Sequence, residues 1–101
     1  MFLALWEFEV KPGCEKPFEK VYGPEGAWAR LFRRHPHYHE TRLVRDSFRQ
    51  NVYLTMDFWS SRQSYETFMQ QHKEEYQAID SEGQELTVSE RKIGWYELVE
   101  P

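Results

Sequence analysis

The sequence predicts a single α+β domain in which two helical regions cover one face of a four-stranded antiparallel sheet. A length of 101 residues is enough for one domain with one modest core. Apolar residues alternate along four segments and follow helical spacing in between, in the order strand, helix, strand, strand, helix, strand. The first strand, residues 2–10, is apolar on one whole face and half apolar on the other, so both faces of the sheet are expected to be covered.

The first half of the chain is predicted to contain two strands and two helical pieces. Pro12-Gly13 ends the first strand with turn chemistry. A helix begins near Cys14, and Gly23-Pro24-Glu25-Gly26 breaks it. The second helical piece has apolar residues at helical spacing, namely Trp28, Leu31 and Phe32. Pro36 prevents its simple continuation, and residues 38–46 are predicted to form a mostly polar strand.

The second half of the chain begins with a strand over residues 51–59, whose two faces differ. One face carries Val52, Leu54, Met56 and Phe58, and the other carries Tyr53, Thr55, Asp57 and Trp59. The alternation leaves open which of these faces looks toward the helices.

The main helix and a last strand complete the predicted fold. Ser60 followed by Gln63 is a capping-box pattern that marks the helix start. The apolar stripe of this helix runs through Tyr65, Phe68, Met69, His72, Tyr76 and Ile79. Gly83 closes the helix, and residues 89–98 form the last strand. This order is the split βαβ, or ferredoxin-like, arrangement, which leaves an apolar sheet face open and predicts a homodimer packed through it.

Composition and charge exclude several classes of function. A net charge of −4 argues against a nucleic-acid binder, which needs a basic face. No stretch is long and apolar enough to span a membrane. Cys14 is the only cysteine, so we expect neither a disulfide framework nor a cysteine zinc site. Because no signal-peptide pattern precedes Glu7, a cytoplasmic location is expected.

Four segments carry a resemblance to a known family: Val10 to Glu15, His37 to Asp46, Tyr53 to Ser61, and His72 to Tyr76. Through them the chain resembles the antibiotic biosynthesis monooxygenase-like (ABM) domains of the dimeric α/β-barrel superfamily. The resemblance covers nearly the whole chain and implies a ferredoxin-like domain that pairs into a dimeric α/β barrel. It also implies kinship with cofactor-free oxygenases of aromatic polyketides, haem-degrading enzymes and isomerases.

One position departs from the haem-degrading branch of that superfamily. Haem-degrading relatives use an Asn together with a Trp and a His or Tyr, and Trp59 and His72 match the last two. Glu7 stands where the Asn is expected, so no haem-degrading activity is assigned.

His72 is the candidate general base, because its apolar neighbours on the helix stripe place it in the space between helix and sheet. The alternative is a core histidine that is satisfied by a Tyr or a carbonyl. Trp59 is the second candidate catalytic residue, as a wall of the cavity. The candidate substrate-binding residues are aromatic, namely Tyr53, Tyr65, Tyr76 and Trp28.

His35, His37 and His39 recur every second residue, which is the most metal-like spacing in the chain. Pro36 and the neighbouring Arg33 and Arg34 indicate a positively charged loop that repels a cation, so no metal site is predicted. No haem, flavin or nicotinamide fingerprint is present, and no cofactor is expected.

Two hypotheses of different classes follow. The first is a cofactor-independent monooxygenase-like enzyme, whose small aromatic or polyketide-like substrate is deprotonated and then passes an electron to oxygen. The second is a non-catalytic dimeric module of the same fold that binds a small ligand or only assembles. A closed pocket that holds His72 beside another polar group favours the first, and a pocket filled by aromatic side chains favours the second.

Overall fold

The computed structural model describes residues 1–100 and confirms the predicted ferredoxin-like α+β domain. Its strands are β1 (Phe2–Val10), β2 (Tyr38–Arg45), β3 (Val52–Trp59) and β4 (Thr87–Glu97). Its helices are α1 (Glu15–Tyr22), α2 (Ala27–Phe32), α3 (Arg62–Gln71) and α4 (Lys73–Gln84). Within residues 1–100, no helix combines the length and the apolar character that a membrane crossing requires.

The sheet is antiparallel throughout, with the strand order β2-β3-β1-β4. The register between β1 and β3 pairs Phe2 with Trp59 and Phe8 with Tyr53. Because paired residues point to the same side of a sheet, the odd-numbered residues of β3 share a face with the apolar face of β1. Phe2, Phe8, Tyr53 and Trp59 are all buried, so this is the face that the helices cover.

The opposite face of the sheet is apolar at its centre and only partly shielded. Leu3 pairs with Phe58 and Leu5 pairs with Met56, and all four side chains are half-buried. Tyr96, which pairs with Leu3 from the other side, is 47% exposed. We call the half-buried residues Leu3, Leu5, Leu54, Met56 and Phe58 the open sheet face.

The main helical region differs from the single helix that the apolar stripe predicts. Ser61, rather than Ser60, is the N-cap of α3, and its side chain accepts a hydrogen bond from the Ser64 N–H at 3.1 Å. The helix then breaks at His72, whose backbone leaves the helical region at φ −124° and ψ 35°. His72 is both the C-cap of α3 and the N-cap of α4, so it lies at a junction between two helices instead of in the middle of one.

Helix α4 passes so close to α1 that only glycine fits at one position. A Cβ on Gly83 would lie 2.0 Å from the Tyr22 hydroxyl and 2.9 Å from the Tyr22 Cζ. Replacing a glycine by alanine in an exposed helix usually raises the free energy of unfolding by about 1 kcal/mol. Here we expect the reverse, a loss of about 1–3 kcal/mol in the free energy of unfolding, because the buried Tyr22 must move.

Urea denaturation of Gly83→Ala measures this effect, and Ser81→Ala on the exposed side of α4 is the matched control. In a Tyr22→Phe background the cost of Gly83→Ala should become smaller, because the atom at 2.0 Å is gone. An alanine variant as stable as the wild type would show that the two helices do not pack as described.

Candidate functional site

A cavity lies between the helices and the covered face of the sheet. Its empty volume is about 510 Å³ when the open solvent at its mouth is included. Seven aromatic residues from β1 and all four helices line it: Trp6, Phe8, Tyr22, Trp28, Phe32, Tyr65 and Tyr76. The rings of Trp28 and Tyr76 meet at 4.7 Å between centroids in an edge-to-face contact. The wall therefore suits a flat aromatic molecule.

The polar part of the wall is acidic. It consists of two threonines and three carboxylic acids, namely Thr41, Thr55, Asp57, Asp80 and Glu90. None of the lining residues among positions 1–100 carries a positive charge. A proton acceptor inside this cavity must therefore be a carboxylate.

Asp57 is the carboxylic acid placed deepest in the sheet. It pairs with Ala4 on β1 and with Thr41 on β2, so its neighbours along the sheet are small and leave space above the carboxyl group. Burial raises the pKa of Asp57 from 3.8 to about 6, while the hydrogen bond from Thr41 opposes the rise. Asp57 also lines the cavity. A carboxylate with a pKa close to neutral pH has the basicity that general-base catalysis favours.

A short chain of hydrogen bonds orients the Asp57 carboxylate. The Thr41 hydroxyl donates to Asp57 Oδ1 at 2.6 Å. The Thr41 oxygen is also 2.7 Å from the Tyr38 hydroxyl. Since the Thr41 proton is already used, the Tyr38 hydroxyl is the donor to Thr41. Tyr38 and Thr41 also line a second, open groove.

Thr41→Val tests this arrangement, because it removes the donor while nearly preserving the shape of the side chain. The donated hydrogen bond lowers the pKa of Asp57, so its loss should move that pKa above about 6. Titration of the carboxyl carbon of Asp57 by ¹³C NMR measures the shift, with Thr55→Val as the matched control on the same face. An unchanged Asp57 titration in Thr41→Val would show that the contact is absent in solution.

Three tyrosines in the wall keep their protons at neutral pH. Burial raises the pKa of Tyr22 and of Tyr65 above the usual phenol value, and burial raises the pKa of Tyr76 to about 12. They can therefore donate hydrogen bonds to an oxygen atom of a ligand, but they cannot act as bases.

Trp28 supplies a further donor. The residue is 7% exposed, lines the cavity, and its indole N–H has no hydrogen-bond partner within residues 1–100. Its proximity opposes the rise in the pKa of Tyr22, yet the two groups do not meet hydrogen-bond geometry. The indole nitrogen is itself buried, so the protein leaves this donor unsatisfied, which is costly.

The structure brings together three of the aromatic residues that the sequence singles out, Trp28, Tyr65 and Tyr76. Tyr53 and Trp59 lie on the covered sheet face but do not border the cavity. The Tyr53 hydroxyl donates to Glu19 Oε2 at 2.5 Å. Trp59 is fully buried, with its ring 5.2 Å from Phe68 and 5.4 Å from Phe32 between centroids.

His72 lies outside the cavity, contrary to the inward position that the apolar stripe predicts. Its ring stacks on Phe68 at 4.6 Å, and its Nδ1 is 2.9 Å from Glu75 Oε2. The backbone of His72 is not helical, so the helical spacing of the stripe does not set its side-chain direction, and its contacts are with Phe68 of α3 and Glu75 of α4. The sequence analysis expects a Tyr or a backbone carbonyl as the hydrogen-bond partner of a core His72, whereas the structure shows the Glu75 carboxylate.

The three alternating histidines do not converge on a point. His35 Nδ1 accepts from the His37 backbone N–H at 3.1 Å, and His39 Nε2 is 2.9 Å from Ser60 Oγ. Within residues 1–100, no three His, Cys, Asp or Glu side chains are grouped as metal ligands.

A comparison with protein-family models matches residues 1–80 to the antibiotic biosynthesis monooxygenase family. The chain belongs to this family. A comparison with curated proteins finds no significant match.

Solved structures share the fold of this ABM protein at low sequence identity. SnoaB, a cofactor-independent oxygenase from Streptomyces nogalater, is 16% identical, with 99% of this chain and 94% of SnoaB covered and a TM-score of 0.75. A proposed antibiotic biosynthesis monooxygenase from Caulobacter crescentus is also 16% identical, with coverages of 98% and 90% and a TM-score of 0.79. A similar protein from Bordetella bronchiseptica is 19% identical, with coverages of 97% and 96% and a TM-score of 0.74.

Asp57 is the residue of this ABM protein that the sequence analysis missed as a functional candidate. The sequence does contain a sign of this role, because Asp57 is a charged residue on the same strand face as the aromatic residues Tyr53 and Trp59. An acidic residue in the middle of a covered strand face is unusual and points to a site. The signal could be used only once the orientation of β3 was known.

Proposed function

We propose that this ABM protein is a cofactor-independent monooxygenase that oxidises a small hydroxylated aromatic or polyketide-like molecule in the aromatic cavity. The observation that carries the proposal is the Asp57 carboxyl group, which lines the cavity and has a pKa raised to about 6. Membership of the family and the cofactor-independent oxygenase from Streptomyces nogalater among similar structures support the reaction type.

In the proposed reaction, an activated CH₂ group of the substrate becomes a carbonyl: R₂CH₂ + O₂ → R₂C=O + H₂O. Asp57 takes a proton from the substrate, and the resulting carbanion or phenolate gives an electron to O₂. The recombined peroxide then loses water to form the carbonyl, so one oxygen atom enters the product and the other leaves as water. Molecular oxygen is the only oxidant that this balance needs.

The aromatic wall and its donors fit this chemistry. A dry aromatic surround holds a planar substrate and keeps water from reprotonating the carbanion. The hydroxyls of Tyr65 and Tyr76 can stabilise negative charge on substrate oxygen or on the peroxide. Asp57 is returned to its ionised form through exchange with solvent at the mouth or through Thr41 and Tyr38.

An oxygen-uptake assay against a panel of anthrones and naphthols, whose keto forms carry the activated CH₂ group, tests the proposal. We expect a subset of the panel to give equal molar consumption of O₂ and substrate by the purified protein. Mass spectrometry of the product formed under ¹⁸O₂ should show one labelled oxygen atom. Binding of panel members without oxygen uptake by any of them would instead support the non-catalytic ligand-binding module.

We also propose that the protein is a homodimer joined through the open sheet face. The half-buried side chains of Leu3, Leu5, Leu54, Met56 and Phe58 form a continuous apolar surface that a second copy would cover. Pairing two such sheets face to face makes the dimeric α/β barrel, in which each cavity lies on the outer, helical side of its own sheet.

A further inference from the structure

The mouth of the cavity is acidic, and its two acids come from different elements. Asp80 lies on α4 and is half-buried, while Glu90 lies on β4 and is exposed. The pKa of Glu90 is raised mainly by burial and, to a smaller extent, by repulsion from the charge of Asp80. The two carboxyl groups therefore interact electrostatically.

No basic side chain within residues 1–100 neutralises this pair. Neither Asp80 nor Glu90 takes part in an ion pair, and the one side-chain donor to Asp80 is the neutral amide of Gln84 at 3.0 Å. Lys92 follows Glu90 by two residues on β4, but its Nζ lies over the Trp95 ring, 3.6 Å from the ring centre.

Aromatic residues line the same cavity as the acidic pair. Phe8 pairs directly with Glu90 across the sheet, and its ring centre is 4.8 Å from that of Tyr22. The negative charges of Asp80 and Glu90 contribute to the raised pKa values of both Tyr22 and Tyr76. Aromatic faces together with carboxylates are the combination that holds organic ammonium groups, through cation–π attraction and charge.

The acidic mouth and the deep carboxylate are well separated. Asp57 pairs with Ala4, whereas Glu90 pairs with Phe8 on the other side of β1. Their Cα atoms are therefore two strands apart, about 10 Å, and four residues apart along the strands, about 13 Å. One elongated ligand can contact both ends of the cavity with different groups.

We propose that the ligand of this cavity is an aromatic molecule that carries a protonated amine, with the ammonium group held between Asp80 and Glu90 and the aromatic system reaching toward Asp57. This inference rests on the proposed function only in one respect, namely that the aromatic system reacts at Asp57. The recognition of the cation stands on the charge and the aromatic character of the mouth.

Isothermal titration with three naphthalene probes at pH 7.5 and low salt tests the proposal. The probes are 1-naphthylmethylamine, 1-naphthylmethanol and 1-naphthoate, which share the ring and differ in charge. We expect the amine to bind about tenfold more tightly than the alcohol, and the carboxylate to bind more weakly than the alcohol. An amine that binds no more tightly than the alcohol would overturn the proposal.

Variants locate the effect at the mouth. In Asp80→Asn/Glu90→Gln the amine should lose its advantage and bind like the alcohol, while the affinity for the alcohol should not change. Glu90→Gln alone changes an exposed side chain, leaves the core untouched, and should remove part of the advantage. Glu82→Gln removes the same charge from the exposed side of α4 and should leave the advantage intact. A loss of equal size in Glu82→Gln would show a general effect of net charge and would contradict the proposed site.

The two proposals fail in different ways. If neutral phenols drive oxygen uptake but the amine has no advantage, the cation site is wrong and the monooxygenase survives. If the amine binds preferentially and no aromatic compound consumes oxygen, the cation site survives and the monooxygenase is wrong.

Discussion

Asp57→Asn should lower kcat/KM for the oxidised aromatic substrate by about 10²–10⁴, the range expected when a general base is removed. The substitution keeps the size of the side chain and can still accept the hydrogen bond from Thr41. Substrate affinity, measured as quenching of tryptophan fluorescence, should change little because the aromatic wall remains. The loss should therefore appear in kcat, with a small change in KM.

Asp57→Asn should also stabilise the fold near neutral pH. The folded-state pKa of Asp57 is about 6, above its unfolded value of 3.8, so the native state binds more protons between these values. Stability contributed by this group is therefore present below about pH 4 and is lost as the pH rises to about 6. Since the cavity is open to solvent, we expect a gain of about 1–3 kcal/mol for Asp57→Asn at pH 7.

His72→Ala is the matched control for the catalytic assignment. It removes the ring that stacks on Phe68 and contacts Glu75, so a loss of about 1 kcal/mol in stability is expected. Activity per folded molecule should remain at the wild-type level. If His72→Ala abolished turnover and Asp57→Asn did not, the base would be His72, as the sequence analysis predicted.

Leu54→Glu should convert the proposed homodimer into a monomer or prevent folding at micromolar concentration. Leu54 is half-buried on the open sheet face, between Glu7 of β1 and Val44 of β2 in the register. A carboxylate there would be buried without a partner when two sheets meet, at a cost of several kcal/mol per subunit. A dimer of this kind buries roughly 2,000 Å² or more and depends on its apolar centre.

Sedimentation equilibrium of the wild type and of Leu54→Glu measures this effect. Gln70→Glu on the exposed side of α3 adds the same charge away from the sheet and should remain dimeric. Leu5→Asn gives a milder second variant that keeps the protein folded and should weaken the dimer. A wild-type protein that sediments as a folded monomer would contradict the proposed assembly.

The fold could be predicted from the sequence because its determinants are local and repetitive. The alternation in residues 2–10 and 52–59 and the turn at Pro12-Gly13 each have one reasonable structural meaning. The break at His72 could not be predicted, since no Gly or Pro marks it and the stripe from Tyr65 to Ile79 continues across it.

The site was less predictable than the fold because it depends on register. Tyr65, Tyr76 and Trp28 could be chosen from helical spacing alone, and they line the cavity. Asp57 becomes a candidate only when the pairing of Ala4 with Asp57 shows that β3 turns this residue toward the helices. The acidic mouth needs two elements far apart in the chain, α4 and β4, and no local pattern connects them.

The pH dependence of kcat/KM for oxygen uptake, measured on wild type and Thr41→Val with the best substrate of the panel, tests the central claim most directly. For the wild type, kcat/KM should rise tenfold per pH unit up to about pH 6 and then level off, as the free enzyme's Asp57 ionises. In Thr41→Val the same inflection should move to higher pH. An inflection that is absent near pH 6, or one that Thr41→Val leaves in place, would contradict the assignment of Asp57 as the base.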